Sequence, residues 1–287
     1  MENKRNDFCI IIMSHGRPND IHTIKTLNKA GCTIPTYILI DNTDKKAEEY
    51  TDKYGKDKVI IFDKKKYIDN TENYDSFESY GVIIYARNAC FDVAEKLGYK
   101  YFLALDDDYT EFKMRINNNL EHPTGKFLII KNIDNVFYKT LDYFINSNFK
   151  TICYSQGGDW FGGETNFNKK PKRKAMNSFF CSTDRRFKFE GRINEDVNTY
   201  ITLGGRGEVF MTIPFIQLDQ KQTQKTKGGM TETYLKGGTY VKSFFSIITR
   251  PDCVKINLMG KTDVRMHHSI NWKTCVPVII DEKYKKK

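Results

Sequence analysis

The strongest constraint on the fold is an alternation along the first 110 residues. Short apolar runs stand at Phe8–Met13, Thr36–Asp41 (TYILID), Val59–Phe62 and Tyr101–Leu105 (YFLAL). Runs of this length, rich in β-branched and aromatic residues and bounded by polar letters, read as buried strands. Between them lie stretches of helical character. Pro18–Lys29 has Asn19 or Asp20 as a cap and is closed by Gly31, Thr43–Tyr54 ends at Gly55, and Gly81–Leu97 (GVIIYARNACFDVAEKL) is closed by Gly98. Strands separated by helices need crossovers, and crossovers build a parallel sheet. The expected class is therefore α/β. Ligands of such sheets bind at the carboxyl ends of the strands. Here those ends are Ser14–Arg17, Asp41–Asn42, the 63–80 loop and Asp106–Asp108.

The second half is more mixed. Asn132–Asn146 reads as a helix and Thr151–Ser155 as a strand, followed by the Gly-rich aromatic loop GGDWFGG at 157–163 and the basic run KKPKRK at 169–174. A strand is expected near Asn177–Ser182 and a helix over Glu195–Leu203, stopped by Gly204 and Gly205. Residues 217–229 (QLDQKQTQKTKGG) have no apolar face and read as a mobile loop. Glu232–Ile248 reads as a helix broken at Gly237–Gly238, and short strands are expected around 254–258, 263–267 and 276–280. No repeat or Pro- or Ser-rich linker divides the chain. The expectation is one domain, with 1–110 and 111–287 as its halves.

Lys and Arg total 46 and Asp and Glu 36, so the formal net charge is +10. A Lys-rich solvated surface gives such a value, and so does a surface made for an anionic partner such as nucleic acid. With 39% apolar residues the chain can build a core and is not of the disordered class. No apolar run approaches the roughly 20 residues of a membrane span. The N-terminal run Phe8–Met13 is too short for a secretory leader, so a cytoplasmic protein is expected. Seven cysteines at 9, 32, 90, 153, 181, 253 and 275 are odd in number and widely spaced, as reduced core cysteines are.

The chemistry concentrates in LALDDDY at 103–109. Three acids directly after an apolar strand repel one another unless a cation neutralises them. On an extended backbone Asp106 and Asp108 share one side, and their hard oxygens suit Mg²⁺ or Mn²⁺ with diphosphate oxygens completing the shell. A solvated acidic turn would carry the same letters. Asn194-Glu195-Asp196-Val197 places two acids at a helix start, either as ordinary partners of the helix dipole or with a carboxylate aimed into the cleft as general base. His267 and His268 in MHHS at 266–269 lie on a late strand, either as a structural pair or as ligands.

The ordered set SHGRP at 14–18, ILIDN at 38–42, ARN at 86–88, LDDD at 105–108, NED at 194–196 and His267–His268 resembles the GT-A glycosyltransferases. That resemblance implies a GT-A-like domain with a mostly parallel, nucleotide-binding N-terminal half flanked by helices and a mixed acceptor-side C-terminal half. It implies a nucleotide-diphosphate sugar as donor, a UDP-sugar in the first instance, and Mn²⁺ or Mg²⁺ as cofactor. By position, Ser14, His15, Gly16, Arg17 and Asp41 would surround the nucleoside, and Arg87, Asn88 and Asp107 would lie near the nucleotide or its phosphates. Asp106 and Asp108 would hold the metal, His267 or His268 would complete its shell, and Asp196, beside Glu195, would face the acceptor.

Within that superfamily, GRINEDVNTYITLG at 191–204 and FMTIPFIQLDQKQTQKTKGGMTETY at 210–234 make the chain similar to the bacteriophage TET-associated glycosyltransferases. That family is implicated in attaching sugars to hydroxymethylated pyrimidines in DNA. Double-stranded DNA is then the expected acceptor, met by Lys169, Lys170, Lys172, Arg173, Lys174, Lys221, Lys225 and Lys227 through its phosphates. Trp160 would stack on an extruded base, or else anchor its loop to the core. A cytosolic transferase for a polysaccharide or protein, and a non-catalytic nucleic-acid-binding module of this fold, are the alternatives. A monomer or weak oligomer with no membrane partner is expected.

Overall fold

A computed structural model describes residues 5–115, 127–160, 173–221, 240–259 and 264–277. The alternation of the first half is realised as β1 (Phe8–Met13), α1 (His22–Lys29), β2 (Thr36–Asp41), α2 (Ala47–Tyr54), β3 (Val59–Phe62), α3 (Lys64–Ile68), α4 (Ile84–Lys96) and β4 (Tyr101–Asp106). Then follow β5 (Tyr109–Arg115), β6 (Phe127–Ile129), α5 (Ile133–Ile145), β7 (Thr151–Gln156), a 3₁₀ turn (Gly157–Trp160), β8 (Ser178–Ser182) and a second 3₁₀ turn (Thr183–Arg185). The last described elements are α6 (Glu195–Gly205), β9 (Phe210–Gln220), α7 (Val241–Thr249), β10 (Val254–Met259) and β11 (Arg265–Ile270).

Nine strands form one sheet in the order β3-β2-β1-β4-β8-β7-β9-β5-β6, and β10 and β11 form a separate antiparallel pair. Strands β3, β2, β1 and β4 are mutually parallel. Beyond β4 the sheet is mixed, with β8 antiparallel to both its neighbours and β9 parallel to β7. The class read from the sequence, α/β with a parallel first half and a mixed second half, is the one observed. The chain winds outward from β1 to β3 and then returns to place β4 on the other side of β1. The strand order reverses between β1 and β4, and a crevice opens at such a point. Residues 14–17 and 106–108 leave those two strands.

Two apolar layers sandwich the sheet. Cys9, Ile11, Met13, Phe91, Phe102 and Phe179 belong to one, with Phe8, Ile10, Ile12, Phe137, Tyr154 and Phe180 in the other. Alternation of side chains along β1 sends its odd residues to one layer and its even residues to the other. All seven cysteines are free thiols, and six are buried. Among the described residues no helix is long and apolar enough to cross a membrane.

Several expectations need correction. The first helix starts at His22, not Pro18, and neither Asn19 nor Asp20 caps it. The Asp20 carboxylate instead meets His22 Nε2 at 2.5 Å and Lys221 Nζ at 3.3 Å. Residues 217–220, expected in a loop, are the end of β9, where Gln217, Leu218, Asp219 and Gln220 pair with β5. The helix expected over 232–248 is described only from 240, as α7; residues 276 and 277 are not in a strand, and 278–280 lie outside the described residues. Gly204 and Gly205 end α6 from inside its last turn.

Candidate active site

The crevice is built first by the β1 exit. Arg17 N–H donates to the Tyr50 hydroxyl at 2.8 Å, and that hydroxyl is 2.8 Å from Ser14 Oγ. Ser14 Oγ in turn donates to Asp107 Oδ2 at 2.5 Å, so Tyr50 must be the donor to Ser14. Arg17 Nη2 closes the ring at 2.9 Å from Asp107 Oδ1. Asp107 thus locks the loop after β1 to the turn after β4. Gly16 adopts φ +69°, a region glycine enters without penalty, and its N–H donates to Asp44 Oδ2 at 2.6 Å.

Asp41 ends β2 in a second cluster. Its Oδ2 lies 2.9 Å from His15 Nδ1 and 3.3 Å from Lys64 Nζ, and Oδ1 accepts from Thr43 N–H at 3.0 Å. Burial alone would raise its pKa, but the bonds from His15 and Thr43 and the Lys64 charge hold it well below the usual carboxylate range. Asp41 in return raises the His15 pKa through their hydrogen bond.

The acid triplet is arranged differently from the extended-backbone expectation. Only Asp106 is in the strand, and Asp107 and Asp108 form a turn into β5. The three acids are held differently, Asp107 being tied to Ser14 and Arg17 while its neighbours are not. Asp106 faces Arg87, whose Nη2 lies 3.4 and 3.5 Å from its two carboxylate oxygens. Asp108 Oδ1 is buried and has no hydrogen-bond partner among the described residues.

Arg87 comes from α4 and is only 3% exposed. Its guanidinium lies 4.8 Å from the Phe179 ring centre and 5.7 Å from that of Phe189. Its Nε lies 3.1 Å from Glu195 Oε1. Burial works against the charge, yet Asp106, Glu195 and Asp196 outweigh it and raise the Arg87 pKa. Arg87 is therefore a buried counter-ion shared between the strand end and α6. The Asn88 amide is committed to the chain itself, with its oxygen accepting from Phe189 N–H at 2.8 Å and its nitrogen donating to Phe189 O at 3.1 Å.

Glu195 and Asp196 are presented by a constrained loop. Gly191 has φ +76°, and a Cβ there would come within 2.3 Å of Asn198 Nδ2 and 2.6 Å of Tyr74 Cδ2. Its N–H donates to Glu72 O at 2.7 Å, and Arg192 Nε reaches Asp75 Oδ2 at 2.6 Å. Asn194 caps α6 in the left-handed region (φ 61°), held by its amide donating to Ser246 Oγ of α7 at 2.6 Å. Left-handed backbone at a residue other than glycine persists only where surroundings enforce it. Asp196 Oδ1 accepts from Val197 N–H at 2.7 Å.

Burial drives the acids toward protonation, and they reinforce one another. Asp106 rises to about 6, Asp108 to about 7 and Glu195 to about 7, and the Asp107 and Asp196 values are raised too. In each case desolvation is the leading cause. Five acids converge here, and two guanidiniums, those of Arg17 and Arg87, pair with members of the set. Among the described residues no three His, Cys, Asp or Glu side chains are gathered closely enough to hold an ion by themselves. Two carboxylates, one with an unpartnered buried oxygen, do suit a divalent cation that takes its remaining ligands from water and from a phosphate-bearing substrate.

His267 and His268 sit on β11 with ring centres 4.3 Å apart. Burial, then His267, Lys242 and Lys174, lower the His268 pKa to about 3, which keeps that ring neutral. Lys242 of α7 also acts on Asp196. The structure does not bring the histidines into one three-ligand set with Asp106 and Asp108.

The expected DNA contacts divide. Arg173 is turned inward, donating to the carbonyls of Cys275 (3.3 Å) and Trp272 and lying 5.1 Å from the Trp272 ring centre. Lys174 pairs with Asp159, and Lys221 lies 3.3 Å from Asp20. Trp160 ends the 3₁₀ turn after β7. Lys169, Lys170, Lys172, Lys225 and Lys227 lie outside the described residues. Tyr50, Asp44 and Lys64 were not foreseen as site residues. Tyr50 and Lys64 reach the crevice through the packing of α2 and α3, whereas Asp44 lies in the turn after β2, three residues past Asp41.

The model of the TET-associated glycosyltransferase family matches residues 8–229. The chain belongs to that family. This transferase has no match among curated proteins. Solved structures similar to it include glucosyl-3-phosphoglycerate synthase from Mycobacterium tuberculosis in complex with Mg²⁺ and uridine diphosphate, at TM-score 0.47 and 7% identity over 92% of this chain and 87% of that one. The same synthase with Mn²⁺ and UDP-glucose gives TM-score 0.46 and 9% identity over 92% and 86%. A mycobacterial protein gives 0.44 and 8% over 92% and 83%.

Proposed function

We propose that the enzyme moves a sugar from a nucleotide-diphosphate sugar, a UDP-sugar in the first instance, to the hydroxymethyl group of a modified pyrimidine in double-stranded phage DNA. The observation that carries this reading is the convergence of Asp106, Asp108, Glu195 and Asp196 at the β1/β4 crevice of a member of this glycosyltransferase family. Family membership supports the acceptor, and the formal charge of +10 agrees with a polyanionic partner.

In this reading the nucleoside lies over the β1 exit, near His15, Gly16 and Asp41. Asp106 and Asp108 would hold Mn²⁺ or Mg²⁺, which would supply positive charge against the departing diphosphate. Arg87 stays beneath them as the counter-ion that keeps Asp106 and Glu195 in place. The acceptor oxygen attacks the anomeric carbon, the bond from that carbon to the diphosphate oxygen breaks, and the hydroxyl proton passes to Asp196. Its Oδ1 is fixed by Val197 N–H, which leaves Oδ2 to receive the proton. A raised pKa suits Asp196 to that role. One direct displacement would invert the anomeric carbon; in a retaining transfer Asp196 would instead orient the substrate or steady the positive charge on the sugar. The enzyme acts as one domain, as a monomer or weak oligomer, in the cytoplasm of the cell that expresses it.

The test is incubation with a panel of UDP-sugars, Mn²⁺ or Mg²⁺, and duplexes containing 5-hydroxymethylcytosine or 5-hydroxymethyluracil, with nucleoside mass and product anomer as readouts. A mass gain of one sugar on the modified base is expected, lost with a chelator. Donor hydrolysis with every duplex left unmodified would overturn the DNA acceptor.

A further inference from the structure

We infer that Gln156, Asn177 and Gln220 form a neutral amide subsite that reads the hydrogen-bonding edge of the acceptor pyrimidine. This rests on the proposal that the acceptor is a base in DNA. The three residues come from separate parts of the chain. Gln156 is the last residue of β7, Gln220 the last of β9, and Asn177 immediately precedes β8. They meet all the same, with Gln156 Nε2 donating to Gln220 Oε1 at 3.1 Å and Asn177 Nδ2 donating to the same oxygen at 2.8 Å.

The cluster adjoins the acids. Tyr109, the residue after Asp108, pairs in register with Gln220, and its phenol donates to the Asn177 carbonyl. Lys221 N–H donates to Asp108 O at 3.2 Å. On the other side, Ser178 pairs with Leu105, which places Asn177 at the strand end beside Asp106. The amides lie beyond β4 from the β1–β3 side, where the nucleoside is placed, on the side left for the acceptor.

Each amide uses one end inside the cluster and keeps the other. Among the described residues Gln156 Oε1, Gln220 Nε2 and Asn177 Oδ1 make no hydrogen bond to the protein. All three residues are half-buried, so these ends remain reachable. A set of uncharged donors and acceptors is poorly suited to phosphate and well suited to base edges, which are read by such groups once a base leaves the stack. Asn177 holds φ 64°, a conformation that asparagine tolerates and that fixes its amide against Gln220.

The test uses Gln156→Ala, Gln220→Ala and Asn177→Gly, the last chosen because glycine keeps the left-handed backbone. Steady-state kinetics are measured with 5-hydroxymethylcytosine and 5-hydroxymethyluracil duplexes, with the thermal midpoint as a check on folding. Loss of one or two neutral hydrogen bonds should raise KM for the duplex about fivefold to tenfold and change the preference between the two bases. An increase confined to the donor KM, with acceptor KM and base preference as in the native enzyme, overturns the inference and leaves the DNA acceptor standing. Native enzyme that hydrolyses donor but modifies neither duplex overturns the acceptor assignment, and this inference with it. Should a variant unfold, Gln220→Glu keeps the volume and must still alter base preference.

Discussion

Removing one carboxylate charge from the acid turn should stabilise this protein when no divalent cation is present. Asp108 has its pKa raised from 3.8 to about 7, by burial first and then by Asp106 and Asp107. An acid whose native pKa exceeds its unfolded one favours the native state fully below the unfolded pKa, and that advantage fades as pH rises through the native pKa. The window here is pH 4 to 7. About three pH units at about 1.4 kcal/mol each set an upper limit of about 4 kcal/mol. Solvent screening of a half-buried group, and its sharing of charge with Asp106, reduce this to about 2 kcal/mol at pH 8. For a chain of 287 residues that is roughly 3 °C in Tm. In the presence of a chelator, the native midpoint should fall between pH 5 and pH 8, and Asp108→Asn should flatten the fall and melt higher at pH 8. Added Mn²⁺ should raise the native midpoint at pH 8 and leave that of Asp108→Asn nearly still. A chelated native protein whose midpoint is flat across that window, or an Asp108→Asn protein that melts lower at pH 8, refutes the idea that burial and the neighbouring acids disfavour the Asp108 charge.

Asp196→Asn should cut transfer on the order of 10² to 10⁴-fold with donor affinity little changed, measured by single-turnover kinetics beside donor binding. Arg87→Met leaves Asp106 and Glu195 buried without their shared cation and should cost about 3–5 kcal/mol, read by denaturant unfolding at pH 8 and diminished at pH 5, where both acids gain protons. Charge reversal at Lys169, Lys170 and Lys172, or at Lys225 and Lys227, should shallow the salt dependence of duplex binding, by about 0.9 for each phosphate no longer neutralised. Arg173→Ala should instead lower Tm, because its guanidinium binds the carbonyls of Trp272 and Cys275.

The parallel half of the fold was legible because each strand is a short apolar run, as strands covered on both faces are, and helical stretches separate the runs. Strand β9 was not, for two local reasons. It contains Pro214, which cannot join a ladder, and the pairing with β7 jumps there from Tyr154–Ile213 to Ser155–Gln217. Past the jump its letters are QLDQ, half polar because Leu218 enters the core while Gln217 and Asp219, alternating with it, meet Arg115 and Lys113 of β5. The irregular strand is also the one that delivers Gln220 to the site, and a bulge re-aims side chains in this way. Strand β5 escaped notice for a related reason. YTEFKMR alternates only weakly, and its buried members, Tyr109 and Phe112, are three apart.

The acids and Arg87 show where letter patterns mislead about roles. LDDD pointed to a cation site, but it gave no sign that Asp107 is tied to Ser14 and Arg17 while Asp108 keeps an orphaned oxygen. That division depends on a turn beginning at residue 107, which the triplet itself does not encode. Arg87, expected near phosphate, lies instead between two phenylalanine rings and two carboxylates. A guanidinium at that depth cannot reach out to a ligand without abandoning Glu195. In the proposed reading it would act on the ligand through Asp106, whose carboxylate lies 3.4 Å from its Nη2. The buried arginine therefore couples the strand end that carries the expected metal ligands to the helix that carries the expected base. Replacing it should disturb both functions together, whereas loss of Asp108 or Asp196 should disturb one each.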